Sequence, residues 1–330
     1  MAVTAAMIKT LREATNAGVS DCKAALTAAD GDFDRAVEIL REKGLAAAAK
    51  KAGRIASEGI VTALVSDDGK KGVILEINSE TDFVAKNADF KAYVGQVASQ
   101  ALSSNSQSIE SFLDEKWSAD ESISVKDALV QKIAVIGERL DIRRFERFER
   151  SSSGALVSYI HGGRIAVLLE LESEAEGKPE LTEAGKNVCM QIASMTPRFV
   201  DRNEISEEFI AKEKEILTQQ TLTEEAKRED SEQNYRRKPE NVLDKIIANR
   251  LEKELNEFSL VDQEYVRATD MPEEETKGKK LYTVSHYLAF VGKKLGAKIS
   301  VKRFARYETG EGLAKKSENF AEEVSKAMQS

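Results

Sequence analysis

Apolar positions change their period several times along the chain, and each change marks an element. Within the first 44 residues Met7, Ile8 and Leu11 share a helical face, and Ser20 is expected to be the N-cap of a second helix, SDCKAALTAAD. Asp32 precedes a third run with Phe33, Ala36, Val37 and Leu40 at helical spacing before Gly44. The spacing predicts three short helices with turns at 15–19 and 30–32, followed by an Ala-rich helical linker over 45–58. Residues 59–79 alternate instead. GIVTALVS and GVILEINS flank DDGKK, which predicts a β-hairpin. A helix with Phe90, Tyr93, Val94, Val97 and Ala101 on one side follows, then a Ser-rich loop over 103–111. Val125, Leu129, Ile133 and Ile136 mark another helix, and LDIRRFERFE (140–149) a strand.

The second half repeats this grammar. ALVSYI and RIAVLLELE (155–172) flank HGG, a hairpin with a glycine turn. A helix is expected at 181–195. Residues 206–258 hold 14 acidic and 10 basic residues with sparse apolar positions: Phe209, Ile216 and Leu217, then Val242, Ile246, Leu251 and Leu255. That pattern predicts two long helices broken near 237–239, where Pro239 suits a first turn, and paired as an antiparallel hairpin. A strand near 260–268, a loop rich in Glu and Lys, a helix at 284–294, a strand at 297–308 and a C-terminal helix at 313–328 complete the reading.

Two segments recur in the same order. VILEINSE (73–80) matches VLLELESE (167–174), and IRRFERFE (142–149) matches VKRFARYE (301–308). The interval between the two segments is 65 residues longer in the second copy, which an inserted helical hairpin would fill. The expected architecture is therefore α+β, with two related subdomains of antiparallel sheet plus helices. The boundaries drawn are 1–55 for the N-terminal three-helix module and linker and 56–150 for the first subdomain. The second subdomain takes 151–205 and 271–308, around an inserted coiled-coil hairpin at 206–270, and 309–330 is a C-terminal helical module.

Composition narrows the chemistry. The chain has 330 residues and a net charge of −8, which argues against broad binding to a phosphate backbone. Arg143, Arg144, Arg147, Lys302, Arg303 and Arg306 could still form a local RNA surface, but they alternate with glutamates, so pairing across strands is simpler. No run of 18 apolar residues spans a membrane, and the N-terminus lacks the layout of a secretory signal. Two cysteines, Cys22 and Cys189, make no disulfide framework, and a cytoplasmic setting is expected. There is no Walker A, GxGxxG, HExxH or CxxC motif. A hydrolase centred on His161 would need a nucleophile nearby, with Ser158 the only obvious one, and there is no GxSxG elbow.

One motif breaks the symmetry of the repeat. Ser79 and Glu80 run into Thr81-Asp82-Phe83-Val84-Ala85-Lys86-Asn87, whereas Ser173 and Glu174 run into Ala175-Glu176-Gly177. At a strand-to-helix junction Thr81 or Asp82 could cap the next helix, with Phe83 a staple-like core contact. The alternative is an exposed wedge, an aromatic ring with a carboxylate beside it, offered to a partner's pocket.

LREATNAGVSDCKAAL (11–26), EINSETDFVAKN (76–87) and YIHGGRIAV (159–167) together resemble bacterial translation elongation factor Ts over essentially the whole chain. The resemblance implies a guanine nucleotide exchange factor for elongation factor Tu, met in its GDP-bound and nucleotide-free forms. It implies no catalytic residue, cofactor or metal, no membrane, and no direct nucleic-acid partner. Thr81, Asp82, Phe83 and Val84 would then disturb the Mg²⁺ and phosphate site of Tu. Leu11, Arg12, Val19 and Ser20 would rest on its nucleotide domain, and His161 and Gly162 would meet its other domains. The helix from Gly312 would lie back on the nucleotide domain, and the helical hairpin would serve self-association or an auxiliary contact with Tu. A general interaction scaffold is the competing reading.

Overall fold

The computed structural model describes residues 3–15, 17–232, 235–279 and 281–314. The helix expected over 313–328 lies almost entirely outside the described residues. The described chain forms two compact units. The first holds the residues up to Glu149, the hairpin tip Ile160–Ala166 and the chain from Tyr307 onward. The second holds Arg150–Tyr159 and Val167–Arg306.

The first unit begins with helices α1 (Ala5–Thr15), α2 (Val19–Ala28) and α3 (Phe33–Lys51). Leu11, Cys22, Ala25, Leu26 and Ala36 form their common core. Asp32 caps α3 as expected, accepting the Arg35 amide at 2.9 Å. Ser20 is not a cap: α2 starts one residue earlier, Gly18 holds the cap position, and Ser20 lies in the first turn. Nor does Gly44 end the third helix. It is a packing site, its Cα edge facing Val130 of the helix below, and α3 runs on through the Ala-rich stretch. A Cβ there would lie 3.4 Å from Val130 Cγ1 and 3.8 Å from Ala134 Cβ, so the position is one of close helix packing rather than a helix end.

Strands β1 (Glu58–Val65), β2 (Lys71–Ser79) and β5 (Leu140–Glu149) form an antiparallel sheet in the order β1-β2-β5. Helices α4 (Asp82–Lys86), α5 (Ala88–Ser103) and α7 (Val125–Ile136) belong to the same unit. Val73, Leu75 and Ile77 of β2 meet Phe90, Tyr93, Val94 and Val97 of α5 in one buried cluster. Asn87 starts α5 by accepting the amides of Asp89 and Phe90 at 2.8 and 3.1 Å. The Ser-rich loop is shorter than expected, because Ser108 caps a small helix, α6 (Ile109–Leu113), through a capping box with Ser111. A small hairpin, β3 (Lys116–Trp117) with β4 (Asp120–Ser124), was not visible in the periodicity.

In the second copy, β6 (Gly154–His161), β7 (Ile165–Ser173) and β8 (Ile299–Glu308) take the order β6-β7-β8, matching the first sheet. Helices α8 (Pro179–Met195) and α12 (Val284–Leu295) accompany them, and Pro179 opens α8 at its first turn. Between these two helices lie α9 (Glu207–Ser231) and α10 (Glu240–Phe258), the antiparallel pair expected from the charge pattern. Their buried seam is Leu217, Thr221 and Glu225 against Leu243, Ile247 and Leu255. Ile216 and Val242, expected in that seam, are exposed. The sparse apolar pattern left the phase of each helix ambiguous by one residue. Near the turn, buried Glu225 accepts from the Tyr235 hydroxyl at 2.8 Å and from Lys238, which hold its carboxyl down at about 2, the lysine first. No strand forms at 260–268. A 3-10 turn at Leu260–Asp262 and a single bridge from Glu264 to Thr283 stand there, followed by a short helix, α11 (Glu273–Thr276).

Candidate functional site

The junction after β2 is braced at every step. The Ser79 hydroxyl donates to the Thr81 carbonyl at 2.9 Å. Thr81 has the extended backbone of a cap, but its side chain makes no capping bond. Its hydroxyl donates to Glu138 Oε1 at 2.7 Å and its amide to Glu138 Oε2 at 3.0 Å. Glu80 in turn accepts the Arg139 amide at 2.6 Å and Arg54 Nη1 at 3.2 Å. The one-turn helix α4 follows, and it separates three neighbouring side chains. Val84 turns into the core cluster. Asp82 stays at the surface and accepts from Lys86 Nζ at 2.6 Å. Phe83 points outward, 79% exposed, with Lys86 Nζ 5.9 Å from its ring. The staple-like reading of Phe83 is overturned by that exposure. Lys86, and to a smaller extent Arg164, hold the Asp82 carboxyl below the ordinary range, so it is an anion at neutral pH.

The tip of the second hairpin lies in the same unit. Gly162 and Gly163 have φ of 58° and 71°, and the Arg164 amide closes the turn on the His161 carbonyl at 3.1 Å. This is the mirror-image turn that suits two-residue hairpins. The Gly163 carbonyl accepts the Val61 amide at 3.3 Å, and Arg164 pairs with Glu58 at 3.0 Å. The tip and α4 thereby border one cleft of about 650 Å³, lined among others by Asp82, Lys86, Lys91, Gly162, Gly163 and Arg164. His161 is exposed at the tip. Two motifs 80 residues apart in sequence are thus neighbours in space.

The N-terminal group does not join them. Leu11 is wholly buried in the three-helix core, while Arg12, Val19 (55% exposed) and Ser20 face outward. None of the four lines the cleft. Leu11 and Val84 therefore support a surface, and the residues able to touch a partner are Arg12, Val19 and Ser20 in one place, Asp82, Phe83, His161 and Gly162 in the other. Among the described residues no cluster of three His, Cys, Asp or Glu could hold a metal ion. The arginines that suggested an RNA surface are largely engaged within the protein. Arg143 and Arg144 bind the buried Glu76 at 3.0 and 2.7 Å, and Lys302 and Arg303 bind the buried Glu170 at 3.3 and 2.7 Å. Their partners sit on the neighbouring strand, not among the alternating glutamates.

Sequence reasoning missed Glu138, Glu80, Lys86 and Arg164 as parts of this site. For Glu138 a signal existed. Extending the repeat back without a gap from β5 and β8 sets Gly137 opposite Gly296 and Glu138 opposite Ala297.

The fold and this surface define an α+β protein of two repeated halves, with a long helical pair in the second and an outward aromatic in the first. A family model described as Elongation factor TS matches residues 80–311. Relatives named Elongation factor Ts are 46% identical over 325 residues in Clostridium perfringens (strain SM101 / Type A), covering 98% of each chain. In Clostridioides difficile (strain 630) the figure is 45% over 327 residues, 99% of each chain. In Clostridium tetani (strain Massachusetts / E88) it is 44% over 328 residues, 99% of this chain and 100% of the relative. The chain belongs to the elongation factor Ts family, and its role is that of a translation elongation factor. No helix among the described residues is long and apolar enough to cross a membrane.

Proposed function

We propose that the protein is a guanine nucleotide exchange factor for elongation factor Tu, binding Tu with GDP and without nucleotide. The observation that carries this reading is Phe83, an aromatic ring left 79% exposed on a junction braced by four side-chain hydrogen-bonding groups. An exposed ring gains nothing for the isolated fold, and a partner pocket recovers its burial, about 1.5–3 kcal/mol for a side chain of this size. Phe83 wedges between helices of the nucleotide domain of Tu. Asp82, an anion, engages a helix N-terminus, where negative charge is favoured. The Mg²⁺ coordination and phosphate loop of Tu shift, and GDP leaves. The coupling is reciprocal: whatever factor weakens GDP on the complex weakens the protein on Tu·GDP equally.

In this reading the protein needs no catalytic side chain, cofactor or metal of its own and works in the cytoplasm. Arg12, Val19 and Ser20 rest on the nucleotide domain, and His161 and Gly162 contact the other domains of Tu. The α9–α10 pair is an auxiliary Tu contact or a surface for self-association.

The test is release of fluorescent GDP from Tu, chased with unlabelled GDP. Phe83→Ala is expected to cost the exchange transition state about 1–3 kcal/mol. Asp82→Ala is expected to cost less, since a carboxylate already paired with Lys86 stays partly hydrated. Binding to Tu without faster release by the unaltered protein would leave an interaction scaffold. A larger loss for Asp82→Ala than for Phe83→Ala would sink the wedge.

A further inference from the structure

The helix that carries Phe83 is too short to hold itself. Five residues make one turn, and isolated helices below about 12 residues are marginal in water. Phe83 contributes little packing because it is exposed. The direction of the ring is therefore set by what grips the residues around it. Val84 is the apolar pivot, buried in the core. On the N-terminal side the grip is electrostatic and two-sided. Glu138 accepts both the amide and the hydroxyl of Thr81, the residue before Asp82, and Glu80 accepts the amide of Arg139, the residue after Glu138. Two adjacent pairs of residues, 80–81 and 138–139, are laced together by a glutamate from each side. Hydrogen bonds to a charged acceptor are the stronger kind.

We infer that Glu138 is a positioning residue: its carboxylate fixes Thr81 and thereby aims Asp82 and Phe83. The inference rests on the exchange reading above for its consequence, though the clamp itself stands on geometry. The repeat provides an independent argument. The second copy has no wedge, and it has alanine at both equivalent places, Ala175 for Thr81 and Ala297 for Glu138. Its strands and its helix α12 form nonetheless, with Gly296 ending α12 as Gly137 ends α7. The architecture of strand, helix and returning strand does not require the pair. Thr81 and Glu138 occur together where a wedge must be held and are absent together where there is none.

A clamp of this kind acts by preorganisation. Without Glu138 the segment 80–83 samples orientations about Val84, and productive insertion must restore the lost order at the transition state. The expected signature is a lower maximal exchange rate with a half-saturating concentration close to that of the unaltered protein.

The experiment compares full-length unaltered protein, Glu138→Ala, Glu138→Gln and Thr81→Val in two assays. One is GDP release from Tu across factor concentrations. The other is amide hydrogen exchange of residues 80–84 in the free protein. Glu138→Ala is expected to lower the maximal rate about tenfold, to move half-saturation by less than about twofold, and to unprotect the Thr81 amide. Glu138→Gln keeps an acceptor for that amide and is expected to recover most of the rate, and Thr81→Val to lose about threefold. A maximal rate in Glu138→Ala equal to that of an active unaltered protein would overturn the inference. If Glu138→Ala melts too early to assay, Thr81→Val decides, and an undiminished rate there is equally fatal. If the unaltered protein does not speed release, the exchange reading fails by itself. The clamp is then judged on the Thr81 amide, which must be protected in the unaltered protein and lose protection when Glu138, or in the Thr81→Val protein one of its two bonds, is removed.

Discussion

Glu76 in β2 and Glu170 in β7 hold the same place in two three-stranded sheets, and both are fully buried. Each binds two cations from the returning strand, Arg143 and Arg144 in the first copy, Lys302 and Arg303 in the second. Four residues further on the copies part. The first continues from Glu80 into Thr81 and α4. The second continues from Glu174 into Ala175 and a turn that delivers Pro179 to α8. Changes in the strand cores or the buried charge carry a cost in stability. The junction between strand and helix is free to change, and there one copy acquired an exposed ring. Residues that hold the fold and the exposed ring proposed to meet Tu are separated here by a few positions.

The comparison is broken most strongly at the first residue of the shared design. Gly59 and Gly154 have φ of 129° and 152°, and a Cβ on either would lie 2.2 Å from the Ile77 carbonyl oxygen or 1.8 Å from that of Leu171. Ile77 and Leu171 are equivalent in the repeat. Gly59→Ala and Gly154→Ala are each expected to destabilise by about 3 kcal/mol or more in urea unfolding, from steric conflict with backbone that cannot move aside. If one is tolerated and the other is not, the copies do not share this entry into the sheet.

Next comes the buried charge. Glu76 also accepts from Asn78 Nδ2 of its own strand at 2.9 Å and from the Gly310 amide at 2.7 Å, and the second contact ties the chain after β8 to the first sheet. Glu76→Gln is expected to cost about 2–3 kcal/mol and Glu170→Gln about 1–2, the cations being part exposed and able to turn to water. Equal costs would show that the Gly310 contact contributes nothing. Burial works against the Glu76 anion, but the Gly310 amide, Asn78 and Arg144 outweigh it and leave its carboxyl below the ordinary 4.5. Its contribution is fully present above about pH 4.5 and is lost as pH falls through the lower folded value.

Much of this was legible in the sequence because it depends on local period and on identity between the copies. The two hairpins, α5, α7, α12, the break at Pro239 and the repeat with its one-sided motif all follow from residues adjacent or at fixed spacing. What was not legible depends on distant packing. Gly44 looks like a helix end until Val130 lies against it, and the phase of α9 and α10 is set by which residues meet. At the site, TDFV was found by its absence from the second copy, but the choice between core and exposed ring for Phe83 needed the structure. Thr81 looked like a cap, and its partner proved to be Glu138, beyond the reach of any local rule. Ala175 and Ala297 were in view as a hint of that pairing, yet only once the repeat is extended through the helix.

That extension also compares two helix starts. α7 and α12 each have 12 residues, and each begins with a capping box, Ser124 with Asp127 and Thr283 with His286. The reciprocal acceptor is a carboxylate in one and an imidazole in the other. Asp127 Oδ2 accepts the Ser124 amide at 3.2 Å, and His286 Nδ1 accepts the Thr283 amide at 3.1 Å. An imidazole does this only when Nδ1 carries no proton. Burial and then the nearby Lys279 lower the His286 pKa from its ordinary 6.5, so the folded state favours the neutral ring. The unfolded imidazole takes its proton first as pH falls. The stabilisation is therefore whole above about pH 6.5 and is lost as pH drops through the lower folded value. For Asp127 burial opposes ionisation, but the Ser124 amide and hydroxyl and Arg41 prevail, so its box persists until the acid range below 3.8. Amide protection in the first turn of α12 should therefore hold above about pH 6.5 and fall as pH drops below it, while that of α7 stays level. The loss is bounded by what an N-cap contributes, about 1 kcal/mol. His286→Asp makes the two boxes alike and should flatten the response of α12 over the same range. A level response in the unaltered protein would mean that the Thr283 amide does not depend on the imidazole, and that the two helix starts differ in residue but not in behaviour.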